Sequence, residues 1–191
     1  DAAAMMVLPT QIDPGSEAFQ ENEAAMAAAL EGLKLAHREL DHVDQDPERW
    51  RWVAVGLVTA INCAIIAALS GYETALEEDT ADLKMPGRVA PLKLLLRRAR
   101  SDRYLLPPEQ LPATSGQVDA VLRLAEYRNE VVHGVLAGRP STIIRDGQIV
   151  VEMVTHLVCL APAFDRSNHA VYCALIFDQV SAIRERLAVL G

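Results

Sequence analysis

Three polar residues of one predicted helix carry side chains suited to acid–base chemistry on a phosphate ester. Arg128, Asn129 and His133 lie within six consecutive positions. An imidazole titrates near neutral pH and can accept or donate a proton, whereas a guanidinium stays charged and can contact two phosphate oxygens. A carboxamide can orient either group or hold the phosphate. Together these groups suit metal-independent RNA cleavage, in which a base takes the 2′-hydroxyl proton and a cation stabilises the phosphorane.

The predicted helix over 116–134 determines which way these side chains point. At about 100° per residue, Asn129 falls in the middle of an apolar stripe, with Arg128 and His133 at its two edges. A core-facing polar group without a partner costs about 1–3 kcal/mol, so this arrangement is typical of a functional site. The stripe contains Val118, Val121, Leu122, Ala125 and Val132, a second ridge contains Leu124, Tyr127 and Val131, and a charged face contains Asp119, Arg123, Glu126 and Glu130.

The segment Arg128-Asn129-x-x-x-His133 resembles the Arg-x4-His motif of HEPN domains (higher eukaryotes and prokaryotes nucleotide-binding). These domains are small helical bundles, and many are metal-independent ribonucleases. The resemblance covers roughly the second half of the chain, and the first half agrees in consisting of long helices. It implies a homodimer in which two motifs converge across a two-fold axis. His133 would then act as general base or acid and Arg128 would clamp the phosphate, giving 2′,3′-cyclic phosphate and 5′-hydroxyl products.

The family resemblance also implies a biological role. It suggests a bacterial toxin of a toxin–antitoxin pair or a phage-defence effector, with a neutralising protein partner. Some HEPN toxins carry a tyrosine two residues after the histidine that a partner modifies, but Val135 occupies that position here. The alternative is a non-catalytic helical module that binds a nucleotide or a protein through the same cleft. A polar cluster that only fixes helix register or a dimer interface is also open.

A basic cluster precedes the predicted catalytic helix. The net charge of −8 argues against a protein that coats nucleic acid indiscriminately, yet seven basic residues fall within 84–103. We predict that Arg97, Arg98 and Arg100 contact RNA. Alternatively, this cluster and the acidic residues before it are solvated faces that pair with each other or with a neighbouring subunit. The basic residues are Lys84, Arg88, Lys93, Arg97, Arg98, Arg100 and Arg103, and the acidic ones are Glu73, Glu77, Glu78, Asp79 and Asp82.

The other histidines give little indication of a metal or cofactor site, and we expect neither. His37 and Asp41 are four apart on a predicted helix and could form a two-ligand metal pair, but no third ligand is evident. A solvated, charged helix end is the favoured interpretation. His156 and His169 lie among apolar residues or near a helix cap and are predicted to be structural.

The cysteines and the longest apolar run bear on localisation. Cys63, Cys159 and Cys173 lack a CxxC spacing and sit in apolar runs, which is typical of buried residues in a reducing cytoplasm. Residues 52–72 carry no charge and reach the length of a membrane span. A run rich in alanine between amphipathic helices favours a central buried helix instead. The sequence therefore predicts a cytoplasmic protein without a membrane segment.

These elements predict an all-α fold: a helical bundle of about four to five helices in a single HEPN-like domain over 1–191, with a small β-hairpin near 141–152. The hydrophobic content of 51% and the length of 191 residues are sufficient for one core. The hairpin prediction rests on Asp146-Gly147 between two β-branched runs. Residues 1–14 are predicted to be a loose end, and the start DAAAMMVLP lacks the basic region of a signal peptide. The predicted helices span 17 to about 43, 48 to about 70, 92–101, the segment from 116 to between 134 and 140, and 168–190.

Overall fold

The computed structural model describes residues 17–71, 75–106, 109–134, 140–161 and 167–191. In these ranges the chain forms six α-helices and no β-strand, so the all-α prediction is confirmed and the predicted helix count is one or two too low. The predicted loose segment 1–14 and the Val135 position lie outside the described residues. The helices are α1 (Glu17–Leu40), α2 (Trp50–Ser70), α3 (Leu92–Ala99), α4 (Ser115–Val132), α5 (Pro140–Val154) and α6 (Ala170–Leu190).

Helix α2 is the centre of the bundle. Helices α1, α3, α4 and α5 pack against it, and α6 packs against α1 and α5. Because neighbours surround α2, a helix that is apolar on every face is buried, as the sequence predicts. It is also the one helix of the described ranges that is long and apolar enough to cross a membrane. Over Pro47–Ser70 the mean hydropathy of its most apolar window is 2.2, and 67% of that window is buried.

Helices α1 and α2 form an antiparallel pair whose backbones touch. A Cβ atom added to Gly32 would lie 2.8 Å from both the amide nitrogen of Ala60 and the carbonyl oxygen of Gly56. Near one end of the pair, the fully buried Asn22 donates a hydrogen bond from Nδ2 to the carbonyl of Ala67 at 2.6 Å. Small residues at the crossing therefore permit a contact that a larger side chain would prevent.

The hairpin prediction is wrong, because residues 141–152 belong to α5. The Asp146-Gly147 pair that suggested a turn lies in mid-helix, where both residues are buried. Gly147 sits where α5 approaches α2, and a Cβ there would lie 2.9 Å from Cδ1 of Leu57. The Asp146-Gly147 pair therefore lies where α5 contacts its neighbouring helices and does not form a turn. Beyond Val154 the helix continues with π-helical turns over Thr155–Leu160.

An ion pair between the partly exposed Arg123 and the buried Asp146 holds α4 against α5. Arg123 donates to Asp146 twice, from Nε to Oδ2 at 3.1 Å and from Nη2 to Oδ1 at 2.9 Å. Asp146 is fully buried, and Arg145 donates a third bond from Nε at 3.1 Å. Hydrogen bonding to Asp146, despite opposing desolvation, raises the pKa of Arg123. A bidentate guanidinium–carboxylate contact fixes orientation as well as distance, so it sets how α4 lies on the bundle.

Candidate active site and basic groove

Helix α4 carries the predicted catalytic residues, and both of its ends are capped. Thr114 forms a capping box with Gln117, in which Thr114 Oγ1 accepts from the Gln117 backbone N–H at 3.2 Å and Gln117 Oε1 accepts from the Thr114 N–H at 2.9 Å. The helix ends at Val132, with His133 as the C-cap residue. Gly134 follows with a φ of +80°, a conformation that glycine adopts without steric cost.

The core face of α4 is not the stripe that the sequence predicts. Ala120, Val121 and Leu124 are buried, and of the predicted stripe only Val121 is fully buried. Its other members range from half-buried to exposed, and Val132 is 63% exposed. The placement of Asn129 in the core is therefore wrong, since Asn129 is exposed. The physical reason is that α4 packs against α2 and α5, and the face that it buries there is centred on Ala120, Val121 and Leu124.

Arg128 is the member of the trio that turns toward the core. It lies four residues after buried Leu124 and is half-buried, and its Nε atom is shielded from solvent without a hydrogen-bond partner among the described residues. Asn129 and His133, four apart, share an exposed face about 100° around the helix from Arg128. In the described ranges, none of the three side chains forms a hydrogen bond or ion pair with another residue. Asn129 and His133 are therefore open to a ligand, whereas Arg128 must turn outward for its Nε to reach one.

Arg98 does not fit its predicted role in RNA binding. It is only 5% exposed, and its Nη1 atom donates to the carbonyl oxygens of Asp79 at 3.1 Å and Ala81 at 2.9 Å. Its guanidinium also lies 6.0 Å from the ring centroid of Tyr104. Arg98 therefore ties the segment before α3 to that helix, and the prediction for this residue is wrong.

Arg97 and Arg100 line a groove of about 850 Å³ between α3, the segment before it and the first turns of α4. Lys84 and Lys93 also line it. In the described chain none of these four cations is paired with a carboxylate. Half-buried Leu94, Val118 and Leu122 supply an apolar floor. Asp82 and Asp119 line the groove as well, so its rim carries four cations and two carboxylates. A rim with an excess of positive charge over an apolar floor suits a ligand that combines phosphates with flat apolar rings.

Helical spacing explains which basic residues reach the groove. Lys93, Arg97 and Arg100 recur at intervals of four and three, so they share one face of α3, whereas Arg98 lies beside buried Leu95 and Ala99. Lys93 was missed as a candidate because the three arginines were grouped by their nearness in sequence. The intervals along α3 were the signal that could have separated Arg98 from the others.

The groove and the exposed part of the trio lie on one side of α4. Ser115, Val118 and Leu122 line the groove, and the same face continues through Ala125 to Asn129 and His133. Along the axis, Leu122 and His133 are about 17 Å apart. The groove and the His133 imidazole therefore lie along one continuous face of α4.

The acidic residues before α3 form no ion pair with the basic cluster among the described residues, although Asp82 lines the same groove. The carboxylate of Asp79 accepts from the Leu76 backbone N–H at 3.0 Å, and that of Asp82 accepts from the Lys84 N–H at 2.9 Å. These are local turn contacts. Within the described part of the chain, pairing between the two faces is therefore not found. Glu73 lies outside the described residues.

The remaining histidines have structural surroundings. His37 Nδ1 contacts Oε1 of Gln179 on α6 at 3.0 Å, and no group of three or more metal-ligating side chains occurs among the described residues. His156 lies in the π-helical turns and lines a small pocket with Glu109. Burial lowers the pKa of His156, and the charge of Glu109 only partly opposes this. His169 is buried before α6.

No family model, curated protein or solved structure matches this chain.

Proposed function

We propose that this protein is a metal-independent endoribonuclease of HEPN type, with one composite active site formed by two copies of the chain. The observation that supports this most is the solvent-facing position of Asn129 and His133, on the α4 face that continues the basic groove. Arg128 beside them is half-buried, and no hydrogen bond or ion pair holds its guanidinium within the described chain. A polar cluster that only fixed helix register would instead satisfy these groups within the bundle.

The proposed reaction uses each group for one task. The His133 imidazole removes the proton from a 2′-hydroxyl, whose oxygen attacks the adjacent phosphorus. Arg128 stabilises the extra negative charge of the phosphorane, and Asn129 orients the phosphate. The bond to the 5′-oxygen breaks, and that oxygen takes a proton from a second histidine in its imidazolium form. One chain supplies a single histidine in this region, so the second belongs to the other copy.

An exposed apolar side chain supports a second copy at this place. Val132 precedes His133 directly and is 63% exposed, although valine is normally buried. Burying this end of α4 against the same surface of a second chain would cover Val132 and bring two imidazoles to one two-fold axis. The role as a cytoplasmic toxin or phage-defence effector with a neutralising partner remains part of this proposal.

Cleavage of total RNA tests the catalytic part. We expect the wild-type protein to yield fragments ending in 2′,3′-cyclic phosphate, in buffer with a chelator. His133→Ala and Arg128→Ala should each reduce the rate at least about 100-fold, because each removes a group that acts in the transition state. Glu126→Ala, on the exposed charged face of α4, is the matched control and should cleave at the wild-type rate. Intact RNA at high concentrations of folded wild-type protein would favour the non-catalytic alternative.

Binding in the groove is tested separately, in the His133→Ala background so that RNA survives. The double change Arg97→Ala and Arg100→Ala should weaken binding and flatten its salt dependence by about two phosphate contacts. Arg103→Ala, which removes an exposed charge that does not line the groove, is the control and should bind as its parent does. Equal losses in both variants would show that net charge, not the groove, governs affinity.

A further inference from the structure

Two of the three cysteines lie close together where α5 ends and α6 begins. Cys159 lies in the π-helical turns that extend α5, and Cys173 lies in the first turns of α6. The Cys159 sulfur donates to the carbonyl oxygen of Cys173 at 3.8 Å, and the Cys173 sulfur donates to the carbonyl oxygen of Val158 at 3.6 Å. Each sulfur therefore contacts the backbone of the other cysteine or of its immediate neighbour.

These contacts limit how far apart the two cysteines lie. A carbonyl oxygen is about 2.4 Å from its own Cα, so the Cys159 sulfur lies within about 6 Å of the Cys173 Cα. A cysteine sulfur is about 2.8 Å from its own Cα, so the two Cα atoms are at most about 9 Å apart. Because the Cα atoms of a disulfide are usually about 4.4–6.8 Å apart, the bond requires the two segments to approach by at most about 2 Å. Rotation of the two side chains about χ1, with a small shift of the helix ends, would bring the sulfurs together. π-Helical turns such as those that carry Cys159 occur often at functional sites.

The two sulfurs also differ in their access to solvent. Cys159 is half-buried, so a small solute can reach it, whereas Cys173 is only 9% exposed. The third cysteine, Cys63, lies in α2, and burial raises the pKa of its thiol. A higher pKa leaves less of the reactive thiolate at neutral pH. The chain therefore holds one reachable thiol, a second next to it and a third that is poorly reactive.

We propose that Cys159 and Cys173 are a reversible oxidation site that forms an intramolecular disulfide when the protein meets a hydroperoxide. The Cys159 thiolate attacks one oxygen of hydrogen peroxide and the O–O bond breaks. The departing hydroxide takes up the proton that the thiol had released, so the products are a sulfenic acid and one molecule of water. The Cys173 sulfur then attacks the Cys159 sulfur and displaces the hydroxyl group as a second water. Two thiols and one hydrogen peroxide thus give one disulfide and two waters. Two equivalents of a small thiol reverse the step.

Thiol counting on the full chain tests this inference. The native protein is treated with a small excess of hydrogen peroxide, then denatured and alkylated with a maleimide that adds visible mass. Reduced protein should carry three labels, one for each cysteine, and oxidised protein should carry one, on Cys63. Dithiothreitol should restore all three. Peptide mapping of the oxidised sample should identify a peptide containing residue 159 linked to one containing residue 173.

Single substitutions make the result specific. Cys63→Ser is the matched control and should still lose two labels on oxidation. Cys159→Ser and Cys173→Ser each retain two cysteines. After peroxide followed by dithiothreitol, each variant should carry two labels, and neither should form an internal disulfide. Circular dichroism checks that each variant is helical, and Cys173→Ala replaces Cys173→Ser if the buried hydroxyl prevents folding.

Several outcomes would overturn the proposal. They are three labels on the wild-type protein after peroxide, a disulfide that joins two chains on a non-reducing gel, or a bond that includes Cys63. Loss of labels that dithiothreitol does not reverse would also overturn it, because it would mean oxidation to sulfinic or sulfonic acid. None of these readouts depends on RNA cleavage, so the inference and the proposed function are tested independently.

Discussion

Asp146 is the buried charge that connects the candidate helix to the rest of the bundle. Arg123 supplies two of its hydrogen bonds and Arg145 one. We expect Arg123→Ala to lower the free energy of unfolding by about 1–3 kcal/mol, because it leaves a buried carboxylate short of partners although Arg123 itself is 45% exposed. Arg145→Ala should cost less than about 1 kcal/mol, since this arginine is 65% exposed and contributes a single bond. Urea unfolding followed by circular dichroism measures both.

The double change Arg123→Ala and Asp146→Asn tests whether the loss of stability comes from the unpaired Asp146 carboxylate. With the carboxylate replaced by a neutral amide, removing Arg123 should cost much less than it does in the wild-type background. Equal costs in the two backgrounds would mean that Arg123 stabilises the bundle through its aliphatic chain. Such a result would remove the reason to regard the pair as the element that orients α4.

His156 makes stability depend on pH. Burial lowers the pKa of its imidazole below the unfolded value, with Glu109 opposing the effect. The unfolded chain therefore binds the proton more readily, so the contribution of this residue to stability is present above about pH 6.5 and is lost as the pH falls below it. We expect His156→Gln to reduce the loss of stability between pH 7 and pH 5. Identical pH profiles for the wild type and the variant would contradict the assignment.

At the scale of elements, the helices with ordinary apolar spacing were predicted and α5 was not. The predicted limits of α1, α2, α3 and α6 agree with the structure to within about three residues. In α5 the buried positions also follow helical spacing, but two of them hold Asp146 and Gly147. Their roles depend on Arg123 and Leu57, which are distant in sequence. No local pattern could distinguish a buried ion pair and a helix crossing from a turn.

For the candidate site, the sequence indicates which residues to consider but not how they are oriented. The identity of Arg128, Asn129 and His133 as an unusual group follows from residue types alone. Which face of α4 meets the core depends on where α2 and α5 lie, and both stripes of α4 are apolar enough to be chosen. Burial of Arg98 likewise depends on carbonyl groups of residues 79 and 81, which periodicity does not reveal.

Two glycines in helices should differ in how much stability they lose on the same substitution. A Cβ on Gly56 would meet backbone atoms of α1, including the amide nitrogen of Ala36 at 2.7 Å, so Gly56→Ala forces two helices apart. We expect a loss of about 1–3 kcal/mol, despite the better helix propensity of alanine. A Cβ on Gly147 would meet only side-chain methyl groups, which can move. Gly147→Ala should therefore be close to neutral in thermal unfolding, and equal losses would contradict this explanation.

At the scale of the whole molecule, the helix contacts differ widely in how many residues separate the two helices in the sequence. The α1–α2 pair is closed by the short connection of residues 41–49, whereas α1 meets α6 through contacts such as His37 with Gln179, which are 142 positions apart. Docking α6 therefore requires closing a far longer loop of chain.

The backbone contact at Gly32 and Gly56 thus has a consequence for the folding pathway. The N-terminal helix pair is expected to assemble early and to serve as the nucleus on which the later helices condense, with α6 arriving last. A substitution at the crossing should then retard refolding, whereas one at the buried Ile183 of α6 should chiefly accelerate unfolding. Stopped-flow chevron plots of the two variants would reveal the sequence of events.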